Sequence, residues 1–380
     1  MNCNFTEEQL ELKEMARVFA EKEAGPRAAE IDKTHQFPAD LFEMMVEQGF
    51  TGIGIPEEYG GSGCDDIDKA LVIMEIAKKC ASTAGILSVH MTFPFLINTF
   101  GTEEQKQRFL PDVTSGGFLG GFSLTEPGAG SDAGAVKTKA IYDEKTGEYV
   151  INGNKCFFTG GTHAQYVAVF ALTQPEKGLK GMSCFVVEKG TPGFTYGKIE
   201  NKMGLNGSET AELFFDDCRV PKENLIGVEG KGFNYAMATL DSARIGIAAQ
   251  AVGIAEGAFD LAVQYSKERV QFGKPIAEQQ GIQWYLADMA TRIEAAKGLV
   301  FKAASAKVSG KPFTKEAAMA KYYAAETARE VTNMALQVHG GYGYMSEYPL
   351  ERMYRDAKLM GIYEGTNEIH KVVIARAVLN

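Results

Sequence analysis

Tyr166-Val167-Ala168-Val169-Phe170 is the stretch on which the fold turns. It is short, β-branched and aromatic, the composition of a strand. Tyr149-Val150-Ile151, Ser183-Cys184-Phe185-Val186-Val187 and Ala211-Glu212-Leu213-Phe214-Phe215 read the same way. Lys145-Thr146-Gly147-Glu148 has the chemistry of a hairpin turn and Thr191-Pro192-Gly193 that of a loop. The pattern begins near Gly116-Gly117 and ends near residue 220. It predicts a small antiparallel sheet domain in the middle of the chain.

On either side the period changes to that of helices. Thr6-Glu7-Glu8-Gln9 has capping-box spacing, followed by an apolar stripe at Leu10, Leu12, Met15, Ala16 and Phe19. Pro38-Ala39-Asp40-Leu41-Phe42 starts a helix that Gly49 ends, and Pro56 with Gly60-Gly61-Ser62-Gly63 marks a loop. Asp68 to Lys79 and Ala84 to Phe100 read as helices, and Thr102-Glu103-Glu104-Gln105 starts another. Beyond Gly230, helical patterns run over Phe233 to Glu268, Pro275 to Val308, Thr314 to His339 and Glu368 to Leu379, with Gly340-Gly341 as a stop. Helices, then strands, then helices predict an α+β chain: a helical region at 1–117, a β region at 118–228 and a helical region at 229–380. No GxGxxG follows a strand, so a Rossmann nucleotide site is not indicated.

The 380 residues suffice for two or three domains, and 45% apolar with 23% charged residues is ordinary for a soluble protein. A net charge of −10 argues against a nucleic-acid partner. No stretch reads as long and apolar enough to span a bilayer, and Met1-Asn2-Cys3-Asn4-Phe5 lacks a secretion pattern. Cys3, Cys64, Cys80, Cys156, Cys184 and Cys218 are scattered, without zinc or disulfide spacing. The expectation is a cytoplasmic protein with no membrane insertion and no metal.

Several runs carry candidate chemistry. In Leu124-Thr125-Glu126-Pro127-Gly128-Ala129-Gly130-Ser131-Asp132 the glycines allow close backbone approach, and Thr125, Ser131 and exposed N–H groups suit phosphate oxygens. The run is equally an ordinary loop. In Lys155-Cys156-Phe157-Phe158-Thr159-Gly160-Gly161, Phe157 suits the face of an isoalloxazine and Thr159 a ring nitrogen; the alternative is a strand with two core phenylalanines. Arg269-Val270-Gln271-Phe272-Gly273-Lys274-Pro275-Ile276, with Gln280 beyond, offers a fixed charge for a diphosphate or simply a helix C-terminal cation. Gln337-Val338-His339-Gly340-Gly341-Tyr342-Gly343 permits close approach to a ligand, with His339 a last-turn cation or core histidine rather than a catalyst. Asp241 and Arg244 meet a polar ligand arm or pair with each other. In Ile362-Tyr363-Glu364-Gly365-Thr366-Asn367-Glu368-Ile369, Glu364 stands where little water and nearby backbone N–H groups make a strong base, or where an acid favours a helix dipole.

In order and spacing, LTEPGAGSD, KCFFTGG, RVQFGKP, QVHGGYG and IYEGTNEI together resemble the acyl-CoA dehydrogenase family over nearly the whole chain, most closely its short-chain, butyryl-CoA branch. The resemblance implies an N-terminal helical domain, a middle β-barrel-like domain and a C-terminal four-helix bundle. It implies FAD, an acyl-CoA substrate, an electron-transfer flavoprotein partner and a homotetramer. Phe122, Leu124, Thr125 and Ser131 would line the flavin and its pyrophosphate, and Phe157 and Thr159 would hold the ring. Arg269, Phe272, Gln280, Gln337 and Gly341 of a neighbouring subunit would hold the ADP portion, and Thr366 and Glu368 would complete the flavin site. Ser131, Asp241, Arg244, Tyr363 and Gly365 would meet the substrate. Glu364 would take the α-proton of the thioester while hydride leaves the β-carbon for the flavin, and the carbonyl oxygen would be stabilised by the Glu364 N–H. Desolvation should raise the Glu364 pKa against the opposing helix terminus.

Two departures from many relatives stand near the ring: Phe157 in place of tryptophan and Gly160 in place of asparagine. Met91, Phe93 and Phe95 are bulky and should shorten the acyl tunnel. A reductase of an enoyl-CoA or aryl-propenoyl-CoA would use the same residues in reverse.

Overall fold

A computed structural model describes residues 5–379. Capping boxes begin three helices of the first region: Thr6 with Gln9, Asp65 with Asp68 and Thr102 with Gln105. The helices are α1 (Glu7–Phe19), α2 (Gly25–Thr34), α3 (Ala39–Glu47), α4 (Asp66–Ala77), α5 (Ala81–His90), α6 (Thr92–Phe100) and α7 (Glu103–Thr114). A π-helical turn, Ala20–Ala24, joins α1 to α2. Helices α4 and α5 are buried on nearly all sides and form the floor on which the rest is built.

The β region holds seven strands: β1 (Leu119–Ser123), β2 (Lys139–Asp143), β3 (Glu148–Thr159), β4 (Ala164–Leu172), β5 (Met182–Glu188), β6 (Phe194–Ile199) and β7 (Thr210–Pro221). The order is β1-β4-β2-β3-β7-β6, with β5 paired to β4. The antiparallel expectation holds for β2–β3, β3–β7, β6–β7 and β4–β5. It fails for β1–β4, which runs parallel from Gly120↔Tyr166 to Ser123↔Val169, and for the single parallel β2–β4 bridge. A parallel pair needs a long connection, and the intervening β2–β3 hairpin supplies it between β1 and β4.

Helices α8 (Gly232–Glu268), α9 (Gln280–Val308), α10 (Thr314–His339), α11 (Pro349–Leu359) and α12 (Asn367–Leu379) form the last region. Helix α10 packs on α8, α9 and α12, which makes the four-helix bundle. The two-stranded ribbon β8 (Val270–Gln271) and β9 (Lys274–Pro275) links α8 to α9. Helix α8 is long and apolar enough to cross a membrane, contrary to the sequence expectation, but it is mostly buried as the central helix of the bundle. Cys64, Cys80, Cys156, Cys184 and Cys218 are free thiols, all but Cys64 buried; Cys3 lies outside the described residues.

Candidate active site

The turn between α11 and α12 carries Glu364 at φ 54° and Gly365 at φ 96°. A left-handed backbone at a glutamate costs about 1–3 kcal/mol and persists only where neighbours enforce it. Those neighbours are visible. Fully buried Lys321 of α10 donates from Nζ to the Gly365 carbonyl at 2.7 Å. A side chain at Gly365 would stand 3.2 Å from His370 Cε1 and 3.7 Å from Arg244 Nη2, so the glycine lets α12 and α8 close on the turn. The Tyr363 hydroxyl donates to Gln250 Oε1 at 2.5 Å, and Gln250 Nε2 donates to the Ala81 carbonyl at 2.9 Å. Tyr363 thereby ties the turn through α8 to the start of α5.

Glu364 is half-buried as a residue, but its Oε2 is buried and unpartnered. Desolvation raises its carboxyl above the ordinary range; Arg244 and Lys321 oppose the rise without cancelling it. Burial drives the Lys321 ammonium down to about 7, with Glu364 pulling it up and Arg244 pushing it down. His370, fully buried, is lowered to about 3 by burial first and by Lys321 and Arg244 second, and stays neutral. Arg244 pairs with Asp241 at 2.5 Å, and Asp241 also accepts from the Thr314 hydroxyl at 2.6 Å. Of the two readings of Asp241 and Arg244, the ion pair is the one present in the fold.

Among the described residues, twelve buried side-chain polar atoms lack a hydrogen-bond partner, and five surround this turn: Arg244 Nε, Glu364 Oε2, Asn367 Oδ1 and both His370 nitrogens. Buried polar atoms are normally satisfied. Their concentration here marks a place built to receive polar groups. Lys321, Gln250 and His370 carry no local motif and were not singled out from the sequence.

A second cluster lies on the sheet. Fully buried Lys155 donates from Nζ to the Leu124 carbonyl at 3.0 Å and to Glu126 Oε1 at 2.8 Å. Glu126 also accepts from the Lys137 and Thr138 N–H groups, and the Cys156 N–H donates to the Thr125 carbonyl at 3.0 Å. These bonds hold the Leu124–Thr125 backbone beside β3. There the β3–β7 register slips between Lys155 and Phe158, and Phe157 takes φ 54°. Phe157 is 67% exposed while Phe158 is buried, so one phenylalanine faces outward and the other fills the core. Thr159, at the end of the same strand, and Phe122, on β1, are half-buried, and Ser131 is exposed in the loop.

A third cluster is a cleft of about 690 Å3 lined by Arg269, Phe272 and Gly341, with Tyr265, His339 and Tyr342. Arg269 lies 5.4 Å from the Tyr342 ring centroid and makes no ion pair among the described residues. His339 is a core histidine, stacked on Tyr265 at 4.1 Å with Nδ1 bonded to the Ala335 carbonyl. Gln280 and Gln337 do not line the cleft; their neighbours Gln279 and Val338 do. Thr366 and Glu368 are apart from it: Thr366 accepts from the Ile369 N–H at the start of α12, and Glu368 is exposed in its first turn. Of the three bulky side chains expected to shorten a tunnel, Met91 lines a cavity of about 10 Å3, Phe93 stacks on Tyr166 and Phe95 lies under Lys307.

The chain as a whole is similar to known proteins. Family descriptions for the acyl-CoA dehydrogenase N-terminal, middle and C-terminal domains match residues 6–117, 121–218 and 230–379. The chain is 62% identical to acryloyl-CoA reductase (NADH) of Anaerotignum propionicum, covering 100% of this chain and 96% of the relative. It superposes on butyryl-CoA dehydrogenase of Megasphaera elsdenii with a TM-score of 0.98 at 47% identity, covering both chains fully. A chain from structural work on the electron transferring flavoprotein of Acidaminococcus fermentans and flavin-based electron bifurcation superposes equally well, with a TM-score of 0.98 at 50% identity and full coverage of both. With all three domains matched in order along one chain, this protein belongs to the acyl-CoA dehydrogenase family.

Proposed function

We propose that this chain catalyses α,β-desaturation of a short-chain acyl-CoA thioester, with FAD as cofactor and an electron-transfer flavoprotein as electron acceptor. The observation that carries the reading is Glu364: a carboxylate with a raised pKa, a buried unpartnered oxygen and two cations beside it. Such a group accepts a proton readily once it is ionised and dry.

The residues present fit a flavin dinucleotide. Phe157 offers an outward ring beside Thr125 and Thr159, and the Arg269 cleft offers an unpaired guanidinium and an aromatic wall. When bound, FAD supplies a two-electron acceptor for the hydride of the β-carbon. Everything else falls to the chain. Asp241 and Arg244 orient the polar arm of the thioester. Tyr363, fixed through Gln250, packs beside the reacting carbons and helps keep water out. The Glu364 N–H faces the same turn and suits the carbonyl oxygen as charge builds there. Glu364 then holds the α-proton, with Lys321 and Arg244 limiting how far its carboxyl drifts upward.

A homotetramer belongs to this reading: the Arg269 cleft of one subunit would complete the dinucleotide site of its neighbour. Phe272 is 94% exposed at the ribbon tip and Trp284 62% exposed on the adjoining helix, which suits a contact between subunits. A second reading is favoured by the similarity to acryloyl-CoA reductase: the same residues run in reverse, Glu364 delivering the proton to the α-carbon of a short enoyl-CoA.

The test is an anaerobic spectral titration of the purified protein. Butyryl-CoA should bleach the flavin band, and Glu364→Gln should slow bleaching by about 10³-fold or more. A flavin reduced by NADH through the electron-transfer flavoprotein and reoxidised by acryloyl-CoA, but not bleached by butyryl-CoA, would favour the reductase. A protein that binds no flavin would overturn both.

A further inference from the structure

The connection between β6 and β7, residues 200–209, is unlike a surface loop: Gly204, Leu205, Asn206, Gly207 and Ser208 are all buried. Leu205 sits at φ 48°, a left-handed backbone that persists at a leucine only where neighbours enforce it. Three helices do so. The Asp356 carboxylate of α11 accepts from the Leu205 N–H at 2.6 Å, and a Cβ at Gly204 would stand 2.7 Å from the same oxygen. Asp32 of α2 accepts from Asn206 Nδ2 at 2.8 Å and from Arg355 Nη2 at 2.6 Å, and Arg355 Nη1 donates to the Met203 carbonyl at 2.9 Å. Ser82 of α5 accepts from the Gly207 N–H at 3.3 Å.

One end of this segment reaches the back of the Glu364 turn. Asp356 lies one turn of α11 before Leu359, whose carbonyl accepts from the Tyr363 N–H at 3.2 Å. Leu205 Cδ2 and Gln250 Nε2 come within 3.1 and 3.0 Å of where a Cβ on Gly85 would stand, so the leucine and the glutamine that holds Tyr363 meet over one glycine of α5. The other end reaches the turn that follows Thr159. Thr159 pairs with Thr210 at the last rung of β3 and β7, and the Gly160 N–H donates to the Glu209 carbonyl at 3.0 Å. The Glu209 carboxylate accepts from the Thr162 N–H at 2.5 Å and from its hydroxyl at 2.9 Å. It lies so close over Gly161, at φ 49°, that a Cβ there would stand 2.0 Å from it. The four steps of chain from Leu205 to Glu209 span at most about 14 Å.

Resting on the reading of Glu364 as the base and of Thr159 as a holder of the flavin ring, we propose that residues 204–209 are a rigid tie that sets base and ring at a fixed separation, with Asp356 and Glu209 as positioning residues at its two ends. Proton and hydride leave adjacent carbons of one thioester, so the group that takes the proton must keep register with the ring that takes the hydride. A misplacement of about 1 Å in such an arrangement can cost about 10²-fold in rate. The two centres belong to different regions of the chain, the turn between α11 and α12 and the end of β3, and this short buried segment is bonded to both.

The test reads each centre separately in the flavin-loaded protein. The base is read by loss of deuterium to water from butyryl-CoA deuterated at the α-carbon, with the flavin held reduced so that no hydride can be accepted. The ring is read by the midpoint potential of the bound flavin. Glu209→Ala, at the ring end, should slow deuterium loss at the distant base about tenfold or more. Asp356→Ala, at the base end, should change the relative affinity for oxidised and reduced flavin about tenfold, a shift of about 30 mV. Glu209→Gln and Asp356→Asn keep an acceptor in place and should restore both readings. If Asp356→Ala does not fold, Asn206→Ala, which releases the bond to Asp32, serves at the same end. Variants that move only the reading at their own end, or conservative variants as impaired as the alanines, overturn the tie while the base and the cofactor stand. If the unmodified protein exchanges no deuterium or binds no flavin, the activity assignment falls and the tie with it.

Discussion

Glu364 and Gly365 form a strained turn that one ammonium helps to hold. Lys321 holds the Gly365 carbonyl and, after Arg244, is the second counter-charge for the carboxylate. Lys321→Met removes that cation, so the Glu364 carboxyl, already raised by burial, rises further. The ionised form is the base; activity therefore falls as pH drops through the Glu364 pKa, and the acid limb of the rate of flavin bleaching should move to higher pH by about one unit. A stopped-flow pH profile of the variant checks this, and an unmoved limb would show that Lys321 acts on the backbone alone. The glutamate stood out in its octapeptide as a base or a helix-terminal acid, and Asp241 and Arg244 in their own run as a ligand contact or an ion pair. Lys321 and Gln250 did not, because their bonds to the turn join residues 44 and 113 positions apart in the chain. Nothing in local spacing announces such a contact.

At the scale of elements, one buried ion pair and one half-buried ion cluster do different work. Lys155 and Glu126 fasten a loop to a strand, and Lys78, Glu256 and Lys297 fasten three helices, α4, α8 and α9, to one another. Burial alone would raise the Glu256 carboxyl, but Lys78 and Lys297 win and hold it below the usual range. A depressed carboxylate contributes stability above its unfolded pKa of about 4.3, and that contribution is lost as pH falls through the lower folded value. Acid unfolding below about pH 4 should thus be steeper in the unmodified protein than in Glu256→Gln. At pH 7 the same variant should lose about 1 kcal/mol in denaturant unfolding, since Lys78 and Lys297 lose their shared partner but keep Glu75 and Glu294. Lys155→Met should strand the Glu126 charge and loosen the Leu124–Thr125 backbone, with flavin content after gel filtration falling before the fold does.

The same scale shows where sequence patterns suffice. Runs of β-branched and aromatic residues located β3, β4, β5 and β7, and the capping boxes at Thr6 and Thr102 located α1 and α7. Strands β2 and β6 escaped: β2 is largely exposed, and β6 is broken by Gly197, where a Cβ would strike the Phe214 ring at 2.3 Å. The parallel pairing of β1 with β4 escaped for another reason. Strand direction is decided by the path of the chain between strands, which no single strand encodes.

Over the whole molecule, the cleft at Arg269 and the turn at Glu364 are distinct sites joined by shared helices. Arg269→Ala should weaken retention of the dinucleotide by about tenfold or more, a guanidinium being worth that much to a diphosphate, while leaving the Glu364 turn in place. Flavin-to-protein ratio after dialysis measures it; an unchanged ratio would remove Arg269 from the cofactor site. Domain order and the five motif runs made the family legible from the sequence alone.

Helix α8 carries Arg244 about a third of the way along and leads into Arg269 at its C-terminal end, 25 residues on. That distance is about 37 Å of unbroken helix, and each added residue turns one end by about 100° relative to the other. Length in this segment is therefore quantised. A one-residue insertion would swing Gln250 away from Tyr363 or Arg269 away from its cleft, and no neighbouring loop exists within the helix to absorb the error. Insertions and deletions in descendants of this chain should collect in the connections around residues 127–135, 174–181 and 309–313, and leave the stretch from 244 to 269 untouched in length.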